Sequence, residues 1–215
     1  MDFNHMKIIV AASTLIVMSL CAFVSDGAAQ DRLPPIPADK LTAAQKQAAA
    51  DFLAERKQEV FGPFIALSRS PQFMLTAARM GIYLRLGNAL PRAVSEFAIL
   101  LQSRRWTQEY EWYVHAADAK TAGLSDAIIQ AVADGRRPEN MTDEQEIVYE
   151  FSTELNELHS VTDRTYARAV AKFGEQGMMD LVGVNGYYSM ISMVLNVART
   201  PLPAGSTPAL KPFPK

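Results

Sequence analysis

Helix-opening and helix-closing signals follow one another along this chain, and they fix its fold class. Thr42 with Gln45 and Thr142 with Gln145 have capping-box spacing, in which each side chain satisfies a backbone N–H of the other residue. Ser70 and Pro71 pair a good N-cap with a good first helical residue. Pro91, Ser125 and Thr162 open three further segments, and Gly123, Gly135 and Gly174 are natural stops. Val94, Phe97, Ala98 and Leu101 recur at helical spacing. A last long helix is expected from about Glu175 to Arg199, broken by Pro201. No stretch alternates apolar and polar residues between hairpin turns. The expectation is an all-α fold, with "FGPFIALSRSP" as a connector.

The N-terminus reads as an export signal over residues 1–29. Lys7 precedes the apolar run "IIVAASTLIVMSLCAFV", and Gly27, Ala28 and Ala29 make a small-residue exit. Cleavage is expected near Ala29/Gln30, delivering a periplasmic protein. The alternative is an uncleaved anchor. Leu20 fits poorly before a lipidated cysteine. Cys21 is the only cysteine, and it lies inside the signal. The mature chain would then hold no disulfide, thiol nucleophile or thiolate metal site. Residues 30–54 form a Pro-rich lead-in and first helix, 55–203 the main helical domain, and 204–215 a Pro-rich tail. The net charge of -2 comes from interspersed charges, so a nucleic-acid partner is not expected. The helix "MMDLVGVNGYYSMISMVLNVA" is apolar enough to raise a membrane question. Asp180, Asn185 and Asn196 would need partners in lipid, so a core or subunit-interface helix is the expectation. Its methionines and tyrosines read as core fillers.

The chemistry concentrates in "EYEWYVH". Glu111 and His115 are four apart, hence on one helix face, as are Arg92 and Glu96 on the preceding helix. The short connection between these helices predicts an antiparallel hairpin, in which Glu96 would point toward His115. One carboxylate would orient the imidazole, and a second in an apolar seam would hold a proton. That supplies an acid and a base side by side. The competing reading is a solvated helix face, against which stand the apolar and aromatic neighbours in "EWYVHAA". No metal is expected, because the spacing lacks a second histidine and any HExxH or ExxH pattern. His159 reads as a helix-end residue, and His5 lies in the signal.

The run "LPRAVSEFAILLQSRRWTQEYEWYVHAADAKTAGLSDAII", with the flanks "FGPFIALSRSPQF" and "GYYSMISMVLNVARTPLP", resembles the carboxymuconolactone decarboxylase and alkylhydroperoxidase D-like superfamily. The resemblance covers roughly residues 55–203. The peroxidase branch carries a Cys-x-x-Cys pair whose positions fall here on Gln108 and Glu111. Its glutamate falls on Glu96 and its histidine on His115. Thiol peroxidase chemistry therefore has no thiols to use. The decarboxylase branch carries Glu-x-x-x-His, matched by "EWYVH". The resemblance implies a cofactor-free acid/base site acting on a small carboxylated lactone. His115 would move the proton, Glu111 would orient it or share the proton, and Glu96 would be the second relay group. Arg92 or Arg104 would hold a carboxylate, with Tyr110 and Trp112 also at the substrate. It further implies a homo-oligomer, a trimer or hexamer. Two rivals are a peroxide-linked oxidoreductase working without cysteines and a non-catalytic periplasmic binding protein. The decarboxylase proper is a short cytosolic enzyme, so an exported relative could act on another substrate.

Overall fold

The computed structural model describes residues 31–212. The expected export signal, with Cys21, lies outside the described residues. Among the described residues every α, 3-10 or π element is a helix or a helical turn, so the fold is all-α. The α-helices are α1 (Ala43–Arg56), α2 (Pro63–Leu67), α3 (Pro71–Ile82), α4 (Arg92–Arg105), α5 (Glu109–Thr121), α6 (Asp126–Ala133), α7 (Asp143–Leu158) and α8 (Asp163–Ala198). Both capping boxes form, opening α1 and α7. Ser125 and Thr162 cap α6 and α8. Ser70 occupies the N-cap of α3, but its side chain makes no capping bond.

Two local features depart from expectation. The connector contains α2, a single short helix with Pro63 in its first turn. Its five residues are too few to show a period, and burial of Phe64 against Phe52 and Phe61 holds it in place. Beyond Ile82, α3 passes into a π-helical turn over Tyr83–Gly87. Such a turn changes the angle at which successive side chains leave the axis. Arg85 lies in this turn.

α4 is the central helix and packs on α5, α7 and α8. Val94, Phe97, Ala98, Ile99 and Leu100 are fully enclosed. A truncation such as Phe97→Ala would cost about 3–5 kcal/mol. A helix enclosed on so many sides also buries polar side chains, which then need partners. Ser103 Oγ donates to the Ile99 carbonyl (2.9 Å). Gln102 donates to Asn185 of α8 and accepts from Ser189 Oγ (2.9 Å). Glu96 meets His115 of α5.

α8 consists of two helical stretches separated at Gly174 (φ 70°, ψ 172°), a conformation that favours glycine. It is long and apolar enough to cross a membrane, and half of its most apolar window is buried inside the protein. Asp180, Asn185 and Asn196 all have protein partners. Asp180 accepts from the Tyr83 hydroxyl (2.9 Å) and the Ala89 N–H (2.8 Å). Asn185 pairs with Gln102. Asn196 accepts from Gln108 Nε2 (3.0 Å) and donates to the Trp106 carbonyl (3.0 Å). The C-terminal segment returns to α5, where Glu109 accepts the N–H groups of Ala209 and Leu210, both at 2.9 Å.

Candidate functional site

The start of α5 is set by Gln108. Its side-chain oxygen accepts from the N–H groups of Tyr110 (2.6 Å) and Glu111 (3.3 Å). Glutamine is not a favoured N-cap, so this signal is weak in the sequence. From that start, contacts between α4 and α5 step outward. Gln108 N–H donates to the Ser103 carbonyl (2.8 Å), His115 meets Glu96 (2.7 Å), and Asp118 lies 3.7 Å from Arg92.

His115 sits between two carboxylates. Its Nδ1 is 2.7 Å from Glu96 Oε2, and its Nε2 is 3.5 Å from Glu111 Oε2. The residues are 4%, 2% and 4% exposed for His115, Glu96 and Glu111. A carboxylate can only accept, so Glu96 draws an imidazole proton to Nδ1, and Nε2 faces Glu111. Burial pushes the Glu111 carboxyl above its ordinary value. His115 and Arg85 pull against that shift, and Glu96 adds to it. Glu111 therefore holds its proton further up the pH scale than a solvated glutamate. The Tyr188 ring packs edge-on against the imidazole, with centroids 4.9 Å apart. Burial also pushes the hydroxyls of Tyr187 and Tyr188 well up, so both stay protonated.

A small cleft of about 50 Å³ reaches this pair. Its wall includes Glu111, His115, Tyr110, Tyr188, Arg56 and Arg85. Gly81 also lines it, because a Cβ there would run into the Tyr187 ring and hydroxyl. A water needs roughly 10–15 Å³ by this kind of measure, so the cleft has room for only a few small-molecule atoms. Ordinary ligand pockets are several-fold larger.

The expected site residues divide. Glu96, Glu111 and His115 come together, and Tyr110 lines the cleft. Trp112 does not line it and belongs to the buried core. Arg92 is also outside it, half exposed, 3.9 Å from Glu96 and 3.7 Å from Asp118. Arg104 lines a different cleft, with Arg105, Arg136, Tyr149 and Glu157. Its Nη1 donates to Thr107 (3.3 Å). Helix spacing explains both arginines: Arg92 opens the exposed first turn of α4, and Arg104 lies at the opposite end, beyond Glu96.

The cations at the cleft are instead Arg85 and Arg56, which sequence reasoning missed. Arg85, in the π-helical turn, is ion-paired with Asp118. Arg56 ends α1 and lies against the rings of Phe52, Phe61 and Phe64. No periodicity announces either one, because three separate segments converge there. Tyr187 and Tyr188 had the visible signal "GYYSM", read only as core filling.

Glu96, His115 and Asp118 have ligand atoms within 4.8 Å of one another, a spacing that a metal ion can use. The charges around them disfavour a cation. Asp118 already pairs with Arg85 and lies 3.7 Å from Arg92, and Arg92 also approaches Glu96. Two guanidiniums beside three ligands oppose a divalent ion. What the arrangement can do without one is transfer protons: Nε2 of His115 and a carboxyl whose proton burial helps to hold, on Glu111, face the same small space. No family model matches the chain, and no curated protein matches it.

Proposed function

We propose that this protein is an exported, cofactor-free acid/base enzyme of the carboxymuconolactone decarboxylase-like kind. It decarboxylates or isomerises a small carboxylated lactone or a related acid. The observation carrying this reading is a buried imidazole held by Glu96 at 2.7 Å, with its other nitrogen turned to a buried Glu111 at the wall of a cleft. In isomerisation, His115 Nε2 takes a proton from the carbon beside a conjugated carbonyl, Glu111 donates its proton to the far carbon of the resulting dienolate, and the imidazolium then returns its proton to Glu111. In decarboxylation, the C–C bond to the carboxylate breaks and CO2 leaves. Its electron pair delocalises into the ring carbonyl, and Glu111 protonates the carbon; water restores the Glu111 proton. Arg85 supplies positive charge beside the developing anion. The absence of cysteine after Cys21 supports this chemistry over a thiol-based peroxidase.

The same reading has the signal cut near Ala29 and the chain associating as a trimer or hexamer. Exposed Met179, Met193 and Val197 on α8 support self-association. The test is CO2 release by the mature protein over a panel of carboxylated butenolides and small keto acids, with His115→Ala alongside. Release lost in a folded His115→Ala variant supports the enzyme. Release that persists in it removes His115 from the chemistry. The narrowness of the cleft favours one second reading, a binding protein that keeps the pocket without turnover. Saturable binding of a panel member without any product would select it.

A further inference from the structure

Of the two arginines at the cleft, Arg85 is ion-paired with a carboxylate and Arg56 is not. Arg79, Arg85, Arg92, Arg136, Arg137 and Arg168 each have a carboxylate within 4.0 Å. Arg56 has none among the described residues. Its guanidinium carbon lies 5.5, 5.4 and 5.0 Å from the ring centroids of Phe52, Phe61 and Phe64. One nitrogen, Nη1, donates to the Ala78 carbonyl (3.2 Å). Aromatic faces attract a cation and fix its position without cancelling its charge. One carbonyl uses one of five donors. Burial opposes the charge and Arg85 adds to that, while Tyr187 and Tyr188 work the other way. A half-buried cation held rigidly, close to a second cation and without a counter-charge, is an arrangement that an anion would complete.

Counting charge around the cleft sets the valence of that anion. Arg85 is balanced by Asp118, and Arg92 lies beside Glu96. Arg56 is the guanidinium at the cleft that has no carboxylate partner.

We infer that Arg56, with Arg85 beside it, recognises the carboxylate of a small monoanionic acid and so sets the substrate class of the His115 site. The inference rests on the proposed enzymatic reading for the chemistry and stands apart from it for the binding. The cleft of about 50 Å³ restricts the ligand to a compact acid with a single carboxylate. The guanidinium meets the carboxylate with its free donors, and the carbon skeleton extends toward Nε2 of His115 and Glu111. The Phe52–Phe61–Phe64 cage makes Arg56 a pre-positioned recognition group, so little side-chain entropy is lost on binding.

The test is an NMR titration of the mature protein with acetate, its neutral isostere acetamide, and the dianion malonate, in buffer free of other carboxylates. Binding is followed at the side-chain Nε–H resonance of Arg85. The expected result is saturable acetate binding, no saturable response to acetamide, and weaker binding of malonate. Arg56→Gln should weaken acetate at least tenfold, while Arg56→Lys, which keeps a charge in the cage, should restore part of the loss. His115→Ala should still bind acetate. Equal responses to acetate and acetamide would overturn the inference, as would unchanged acetate binding in folded Arg56→Gln. Malonate binding tighter than acetate would overturn the single-charge assignment. The two readings fail separately. Acetate binding with no turnover of any acid leaves the anion site and removes the enzyme. Turnover with an unchanged KM in Arg56→Gln does the reverse.

Discussion

Helix α4 presents two buried polar clusters, and they are built on opposite principles. At Gln102 the partners are neutral: Gln102 donates to Asn185, accepts from Ser189, and Asn185 donates onward to the Leu181 carbonyl at 2.8 Å. Six residues earlier, Glu96 meets an imidazole whose second nitrogen points at another buried carboxyl. The first cluster joins α4 to α8 and does not line the cleft that reaches His115. The second contains three titratable groups and leaves one nitrogen turned to that cleft. A buried amide network contributes specificity and stability. A buried acid–base cluster costs stability, and it is the part of α4 on which the proposed chemistry rests.

The contrast breaks most readily at His115. His115→Ala should lower turnover by about 10²- to 10⁴-fold, the ordinary worth of a general acid–base group. Its melting temperature should also fall, because buried Glu96 loses its partner at 2.7 Å, so turnover is read per folded molecule. Rate measurements paired with thermal melts check this; unfolding would make His115 a packing residue. Gln102→Leu should show the opposite pattern. It leaves Asn185 and Ser189 short of partners, at a cost of about 1–3 kcal/mol, with activity per folded molecule retained. Denaturant unfolding gives the first quantity, and activity normalised to folded protein gives the second.

Glu111→Gln sharpens the comparison through pH. Burial holds the native Glu111 value above the ordinary 4.5, whereas the unfolded chain releases that proton near 4.5. Native protein thus binds more protons between these values. The stability that Glu111 contributes is complete below about 4.5 and falls as pH rises through the raised native value. The slope cannot exceed about 1.4 kcal/mol per pH unit. Gln has no such proton, so the variant should gain on the wild type as pH rises from 4.5, then hold a constant lead. Melts across that range that run parallel throughout would mean Glu111 is solvated. The smallest effect is expected at Arg92. Its side chain is half exposed, and exposed pairs of this type are worth about 0–1 kcal/mol. Arg92→Gln should therefore change kcat/KM less than Arg85→Gln; the reverse order would return the carboxylate-holding role to Arg92.

How much of this was legible in the sequence follows from the range of each signal. Capping residues act within one turn, so Thr42, Ser125, Thr142 and Thr162 marked their helices correctly. Glu96, Glu111 and His115 were visible as a set because each is fixed by four-residue spacing and one short connection. Their division of labour was not. Glu96, 19 residues from His115, takes the close contact, and Glu111 on the same helix stands further off. Backbone staggering of two packed helices decides that, and no local pattern encodes it. Arg85 depends on a π-helical turn, and Arg56 on three rings gathered from α1, the connector and α2. Both are long-range consequences of packing. Trp112 lies in the buried core, and an aromatic beside a candidate acid reads alike in sequence whether it faces a substrate or the core.

The central claim is that His115 moves protons at carbon. Its most direct test is exchange of solvent deuterium into the carbon acid that the mature protein turns over or binds best, followed by NMR for wild type and His115→Ala. The account predicts catalysed exchange in wild type and a rate at least about 100-fold lower in the folded variant. Equal exchange in the two proteins, or none in wild type while the acid is seen to bind, would contradict it.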